Sequence, residues 1–393
     1  MLSPFKIRTA ITTLLTALAA TGLILGNISA DSSFTASFDG APSGPLPFGE
    51  VNDLANWDVQ VHSRDVSSYY QLPEINAQHG ADCSGPPETH THTNTSYEAS
   101  VFQCNNHVMT AINGAAGYAE IMLTPDEMVD WSSGEATVSW EMSTQRLSLR
   151  DWVDLWITPF EDNKALPLQE GFPDLTGPPA NAVHIRMEQF NGESNFVGDI
   201  YANGQAVGIP SAWWETIPAG TTSATVRERF ELRISSGHIY FGMPGRNLVW
   251  MDTGVSIPFT RGVVQFGHHS YTPEKDGAGV PGTWHWDNFS ISPAVPFTMI
   301  KADRRYTNGG TVNFASPAPA NSYLRFAGNG YIEINDGSGW RFASPQSAGD
   351  GFVQASYFIP VPAGTQSVQF RFSQHGSWFA GPYIAQDFAI WSR

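Results

Sequence analysis

Residues 229–243 read RFELRISSGHIYFGM. Phe230, Leu232 and Ile234 alternate with Arg229, Glu231 and Arg233, the period-two pattern of a strand with one apolar and one wet face. Ser-Ser-Gly then breaks the run, and a second apolar stretch follows, which predicts a strand–turn–strand unit. The same pattern recurs outward from it in EATVSWEMS (135–143), DWVDLWITP (151–159), NAVHIRMEQF (181–190), GVVQFGHHSY (262–271) and TWHWDNFSIS (283–292). Turns rich in Gly, Pro, Asn and Asp separate these stretches, and helical periodicity is nearly absent after residue 30. This predicts an all-β sandwich. A break falls at SPAVPF (292–297), beyond which YLRFAG, GYIEIND, GWRFAS, QASYFIPVP, SVQFRFS and QDFAIWS form a second set of strands. WDNFSI closes the first set and QDFAIW the second. The expected organisation is a leader over 1–30, a large β-sandwich over 31–295 and a smaller C-terminal β-sandwich over 296–393.

The leader begins with Lys6 and Arg8, continues through an apolar run from about Ala10 to Leu25 and ends Ile28-Ser29-Ala30. That pattern reads as a secretory signal cut before Asp31. No later stretch approaches the ~18 apolar residues of a membrane span. The expectation is an exported protein, extracellular or periplasmic, without a membrane span in its mature chain. Removing the leader leaves 18 basic against 37 acidic side chains, a net charge of −19. So acidic a surface disfavours nucleic acid and anionic membranes as partners. The two cysteines, Cys83 and Cys104, are expected to form one disulfide in an oxidising compartment. A zinc site from Cys83, His90, His92 and Cys104 fits no standard ligand spacing.

Alternation sorts the residues that could do chemistry. In 151–159, Val153, Leu155 and Ile157 share the core face, leaving Trp152, Asp154 and Trp156 on the other. In 181–190, Val183, Ile185 and Met187 face in, and His184, Arg186 and Glu188 face out. Two tryptophans beside a carboxylate on a non-core face mean either a ligand surface or a surface covered by a loop or a neighbouring domain. Within FGHHSYTPEKDGAGVPGTWHWDNFSIS (266–292), His268 falls on the core side, while His269 shares its outward face with Gln265 and Tyr271. Counting back by two from Phe289 and Ile291 places Asp287 and His285 inward and Trp284, Trp286 and Asn288 outward. The outer face then collects aromatic rings, carboxylates, His and Arg, a mixture suited to sugars. A solvated face of ion pairs is the alternative.

RFELRISSGHIYFGMPG and the closing HWDNFSIS resemble the concanavalin A-like lectin/glucanase superfamily, over about Ser33–Ser292. The resemblance implies a jelly roll of two curved antiparallel sheets with a concave, polysaccharide-holding face. It also implies a structural Ca²⁺ where the first and last strands meet, which points to Asp39 and Asp287. No other cofactor is required. The Glu-x-Asp-x-x-Glu motif of retaining glucanases in that superfamily is absent, and Asp151 and Asp154, three apart, point to opposite faces. The leading expectation is polysaccharide binding through Trp152, Trp156, Arg186, His269, Tyr271 and Gln265. The second is a glycoside hydrolase with Asp154 and Glu188 as the carboxyl pair and His184 beside them. The third is a polysaccharide lyase with His184 or Tyr271 as base and Arg186 against the uronate. The fourth is an adhesion or structural protein. The oligomeric state is open at this level.

Overall fold

The computed structural model describes residues 32–39, 44–45, 57–63, 81–82, 91–92, 99–104, 107–112, 119–146, 151–163, 182–189, 196–202, 205–208, 228–244, 248–270, 282–302, 306, 308–328, 331–343, 345–348, 355–373 and 385–393. Residues 1–31, the expected leader among them, and Cys83 lie outside them. Cys104 ends the Ala99–Cys104 strand, and its side chain is also outside the described set.

The described chain from Ser33 on forms one compact unit of four antiparallel layers and a two-stranded ladder, Ala81–Asp82 with Thr91–His92. The first sheet runs in the order Leu248–Ser256, His238–Met243, Glu228–Ser235, Glu135–Arg146, Gly282–Ser292, His107–Ile112, Ala99–Cys104 and Gly44–Pro45, with Phe34–Ala36 also on the Gly282–Ser292 strand. The second runs Gln205–Gly208, Phe196–Ala202, Val183–Gln189, Asp151–Thr158, Arg261–Ser270, Ala119–Pro125 and Trp57–Ser63. These two sheets make the expected jelly-roll sandwich. Its core gathers the inward residues of both, among them Val138, Trp140, Leu155, Ile185, Leu232 and Phe266. The 229–243 stretch is the hairpin its alternation demands. Ser235 pairs with His238 across Ser236 (φ 51°) and Gly237 (φ 78°), two left-handed residues whose twist suits a two-residue turn.

The smaller sandwich supplies the other two layers. The third sheet is Thr298–Ala302, Ala385–Ser392, Ser322–Gly328, Ala355–Val361 and Pro345–Ala348. The fourth is Gly310–Asn313, Ser367–Ser373, Tyr331–Asn335 and Arg341–Phe342. Leu324, Phe326, Phe388 and Ile390 of the third sheet enter the core between these two layers. The residues between them, Tyr323, Phe358, Ala389 and Trp391, pack on Met128, Phe160, Val263 and Phe297. The third sheet is therefore buried on both faces, and one of them lies against the second sheet. The connection between the sandwiches is itself a strand: Ala294–Pro296 pairs with Glu127–Asp130 at the edge of the second sheet.

One expectation about the faces is corrected. Ser139 pairs with Ser290, but Glu141 pairs with Asp287, so Trp140 on one strand faces two residues, Phe289 and Asn288, on the other. The extra residue, Asn288, has φ 46°. This bulge reverses the parity of everything before it. Trp286, not His285, points into the core, where its ring sits 4.8 Å from Phe266 and its Nε1 donates to Thr110 Oγ1 at 3.0 Å. His285 turns to the opposite face. It is buried there with Nδ1 2.9 Å from His107 Nε2, one ring donating to the other. His268 is a core residue as expected, 3.1 Å from Thr110 Oγ1.

Candidate functional site

The outward face of the second sheet carries most of the residues singled out above, and its register arranges them in rows. His184, Trp156 and Gln265 are cross-strand partners, and Gln265 reaches Thr124, which pairs with Asp58. The next row is Arg186, Asp154, Gly267, Met122 and Gln60. The third is Glu188, Trp152, His269, Glu120 and His62. The side chains of Trp152, Asp154, Arg186, Glu188 and His269 lie outside the described set, so register alone places these residues; Tyr271 lies outside the described residues altogether.

The first row is covered. Arg325, between Leu324 and Phe326 in the third sheet, points out of its own core into this face and is 0% exposed. Its Nε donates to Asp58 Oδ2 at 3.1 Å and its Nη2 to Gln60 Oε1 at 2.9 Å; Nη1 donates to Asn163 Oδ1. Its guanidinium lies 4.6 Å from the centre of the Trp391 ring. Asn163, just past the short 3₁₀ turn Phe160–Asp162, passes the network on by donating to Gln265 Oε1 at 3.1 Å. Gln265 Nε2 then donates to Thr124 Oγ1 at 3.0 Å. Burial raises the Asp58 carboxyl above its ordinary range, and the charges of Arg325 and Lys301 oppose that shift. An arginine with its hydrogen bonds met by a carboxylate and two amides is the form in which a charge survives between layers.

Gln265 thus does stand on the outward face, but inside the contact between sandwiches. Trp156 is also covered: it is 6% exposed, with its ring stacked on His184 at 4.0 Å and 14° and packed by Met122 and Ala182. Both residues, expected among the ligand contacts, are buried in this row. Asp154 and Glu188 stand diagonally on neighbouring strands, since Glu188 pairs with Trp152 and Arg186 with Asp154. Diagonal neighbours on a sheet have Cβ atoms about 7–8 Å apart or somewhat less.

The calcium expectation concerns the other sheet. Phe34–Ala36 does run beside the Gly282–Ser292 strand, with Ala36 against Phe289. Asp39 is exposed in the turn that follows, and Asp287 is buried with Oδ1 accepting from the Asn288 backbone N–H at 2.7 Å. Among the described residues no group of three or more His, Cys, Asp and Glu is arranged to hold a metal ion. Nor is any helix among them long and apolar enough to cross a membrane. A cleft of about 400 Å³ opens between Phe160, Phe259, Arg261 and Arg393. Its arginines are taken up by Asp130 (2.5 Å) and Glu161 respectively.

Sequence reasoning did not find Arg325, Asp58, Gln60 or Asn163 as a set. The one signal was a cation between two apolar residues in YLRFAG, which marks an outward residue but not its partner.

No family model and no curated protein matches this chain. Among solved structures it is similar to a Bacillus subtilis protein of unknown function with a galectin-like fold, at 12% identity and TM-score 0.34, covering 67% of this chain and 100% of that one. It is similar to LamAcat of Zobellia galactanivorans at 11% and 0.39, covering 66% and 96%. It is also similar to a Bacillus licheniformis beta-glucanase at 11% and 0.33, covering 66% and 97%. With every one of these scores below 0.5, the fold is assigned from strand order and register.

Proposed function

We propose that this is an exported polysaccharide-binding protein whose ligand lies across the second and third rows of the second sheet. The observation that carries the reading is the register: Trp152 stands between Glu188 and His269, and Asp154 between Arg186 and Gly267. One aromatic ring flanked by carboxylates, an imidazole and a guanidinium on a rigid sheet suits a sugar, whose C–H faces stack on rings while its hydroxyls take fixed polar groups. Arg325 and the third sheet close the row below and, through Gln60 beside the buried Met122, one end of the second row, so the ligand path ends at the sandwich contact. The glycine at 267 leaves the middle of the second row without a side chain.

A second reading, glycoside hydrolysis, is favoured by the diagonal placement of Asp154 and Glu188. Their register suits the ~5–9.5 Å between carboxyl groups that glycosidases use. Both readings are tested together. The mature chain is titrated with soluble neutral and acidic polysaccharides while tryptophan fluorescence and new reducing ends are followed, with Trp152→Ala, Asp154→Asn and Glu188→Gln alongside. Binding lost in Trp152→Ala with no reducing ends supports the binding protein. Reducing ends that vanish in either carboxyl variant make it a hydrolase. No response to any polymer removes both.

A further inference from the structure

The fourth sheet, at the far end of the stack, turns one face to the small core through Val312, Ile332, Ile334, Val368 and Phe370. Its other face carries an unusual combination. Among the described residues, the three large apolar side chains left exposed are Tyr331 (45%), Trp340 (41%) and Phe342 (54%), and all three belong to this sheet's edge region. Tyr331 alternates with the core residues Ile332 and Ile334, so it points outward with Glu333. Phe342 pairs with Glu333, which pairs with Arg371 on the next strand. The Arg371 guanidinium lies over the Trp340 ring, 4.3 Å from its centre, while its Nε donates to Glu333 Oε2 at 2.6 Å.

Two rings therefore flank an ion pair that is already neutralised, with the third ring two residues along the same strand. Trp340 is held from above by Arg371 and from below by its turn. There Asn335 Oδ1 accepts from the Gly337 and Gly339 N–H groups at 3.0 and 3.1 Å, and Arg341 Nη2 donates to Asp336 Oδ2 at 2.6 Å. The neighbouring outward positions, Thr311 and Gln369, are exposed and uncharged.

We propose that this face is a second binding platform, distinct from the second-sheet site, and that its occupant is a neutral polysaccharide chain. Charge complementarity selects the occupant. Among the described residues the charges on the platform are paired with each other, Arg371 with Glu333 and Arg341 with Asp336, so a charged ligand finds no spare counter-charge there. Hydroxyls, in contrast, find amides, a hydroxyl and the outer edges of a fixed ion pair between rings. A second copy of this chain suits it less well: the Thr, Gln, Glu and Arg among the rings keep the patch wet, and the edge strand is only two residues long. The proposal stands whether or not the second sheet binds sugar.

The test is affinity electrophoresis of the mature chain through gels containing laminarin, hydroxyethyl cellulose, galactomannan or xylan. Trp340→Ala/Phe342→Ala and Trp152→Ala are run beside it, and sedimentation velocity is run on each. The expected result is retardation in at least one of these neutral polymers, with the apparent Kd raised about tenfold or more in the platform variant and the Trp152→Ala variant still retarded. Because both substituted side chains are exposed, an unchanged thermal midpoint shows that the fold is intact. If the midpoint drops, Arg371→Gln, which removes the cation that holds Trp340, serves in its place and is expected to weaken retardation. Retardation lost only in Trp152→Ala overturns the platform and leaves the second-sheet site standing. No retardation in any polymer overturns the platform. So does a dimer that the platform variant dissolves, since the occupant is then a second copy.

Discussion

Arg325 connects the two sandwiches at a single side chain. It sits in a strand whose neighbours Leu324 and Phe326 are core, and it carries a full charge into the contact with Asp58, Gln60 and Asn163. Removing one partner leaves the other charge buried and unpaired, which costs about 3–5 kcal/mol, whereas replacing both with apolar groups of similar size costs much less. Arg325→Ala is therefore expected to lower stability by about that amount in urea unfolding, and Asp58→Leu/Arg325→Met to recover most of it. If the double variant is as unstable as the single one, the pair is not what holds this contact. The outward direction of Arg325 was legible from its place between two apolar residues. Its partner was not, because Asp58 is 267 residues away in the chain and no local pattern links them.

At the scale of single elements, the Gly282–Ser292 strand shows how one residue redirects several. Alternation put Phe289 and Ile291 inward correctly, and failed before Asn288 because a bulge adds a residue that a count of two cannot see. Asn tolerates a left-handed backbone that a β-branched residue does not. Asn288→Gly is thus expected to be close to neutral and Asn288→Val to cost about 1–3 kcal/mol, read from thermal midpoints.

The connecting strand makes a second prediction. Glu127 pairs with Pro296, and the Asp126 carbonyl accepts from the Phe297 N–H at 2.8 Å. Burial pushes the Glu127 carboxyl from 4.5 to about 7, with the neighbouring Asp126 adding to it, and burial pushes Asp126 from 3.8 to about 6. Both values are raised on folding, so the folded chain holds more protons than the unfolded chain between those limits. Stability therefore falls as pH rises from about 4 to about 7 and levels above it. Glu127→Gln is expected to raise the thermal midpoint at pH 8 and leave it little changed at pH 4. An equal effect at both pH values would show that the carboxyl is not the source.

For the whole molecule, the third sheet matters most, because each of its faces packs on another layer. Its Tyr323, Phe358 and Trp391 bury against Phe160, Val263 and Phe297, and its Arg325 against the second sheet's polar row. A chain ending at residue 295 would leave Phe160, Val263 and Met128 uncovered and Asp58 without its counter-ion. It is expected to unfold at a lower temperature than the chain that continues to residue 393 and to associate at concentrations where the full chain does not. The full chain is expected to show one calorimetric transition, because unfolding either sandwich exposes the shared face of the other. Two well-separated transitions would sink that expectation.

The sequence by itself determined the all-β class, the hairpin at 229–243 and which residues of most strands face inward. These follow from a period of two and from turn residues, both local properties of the chain. The tertiary structure decided what each outward face meets. Trp156, His184 and Gln265 have the same outward parity as Trp152, Asp154 and Glu188, yet the former row is buried, Gln265 within the contact between sandwiches and Trp156 against His184, Met122 and Ala182. Tyr331 and Phe342 share a pattern with many buried residues and stay exposed. The reason is physical: alternation assigns a side chain to one face of its own sheet, but which layer packs on that face depends on contacts between residues hundreds of positions apart.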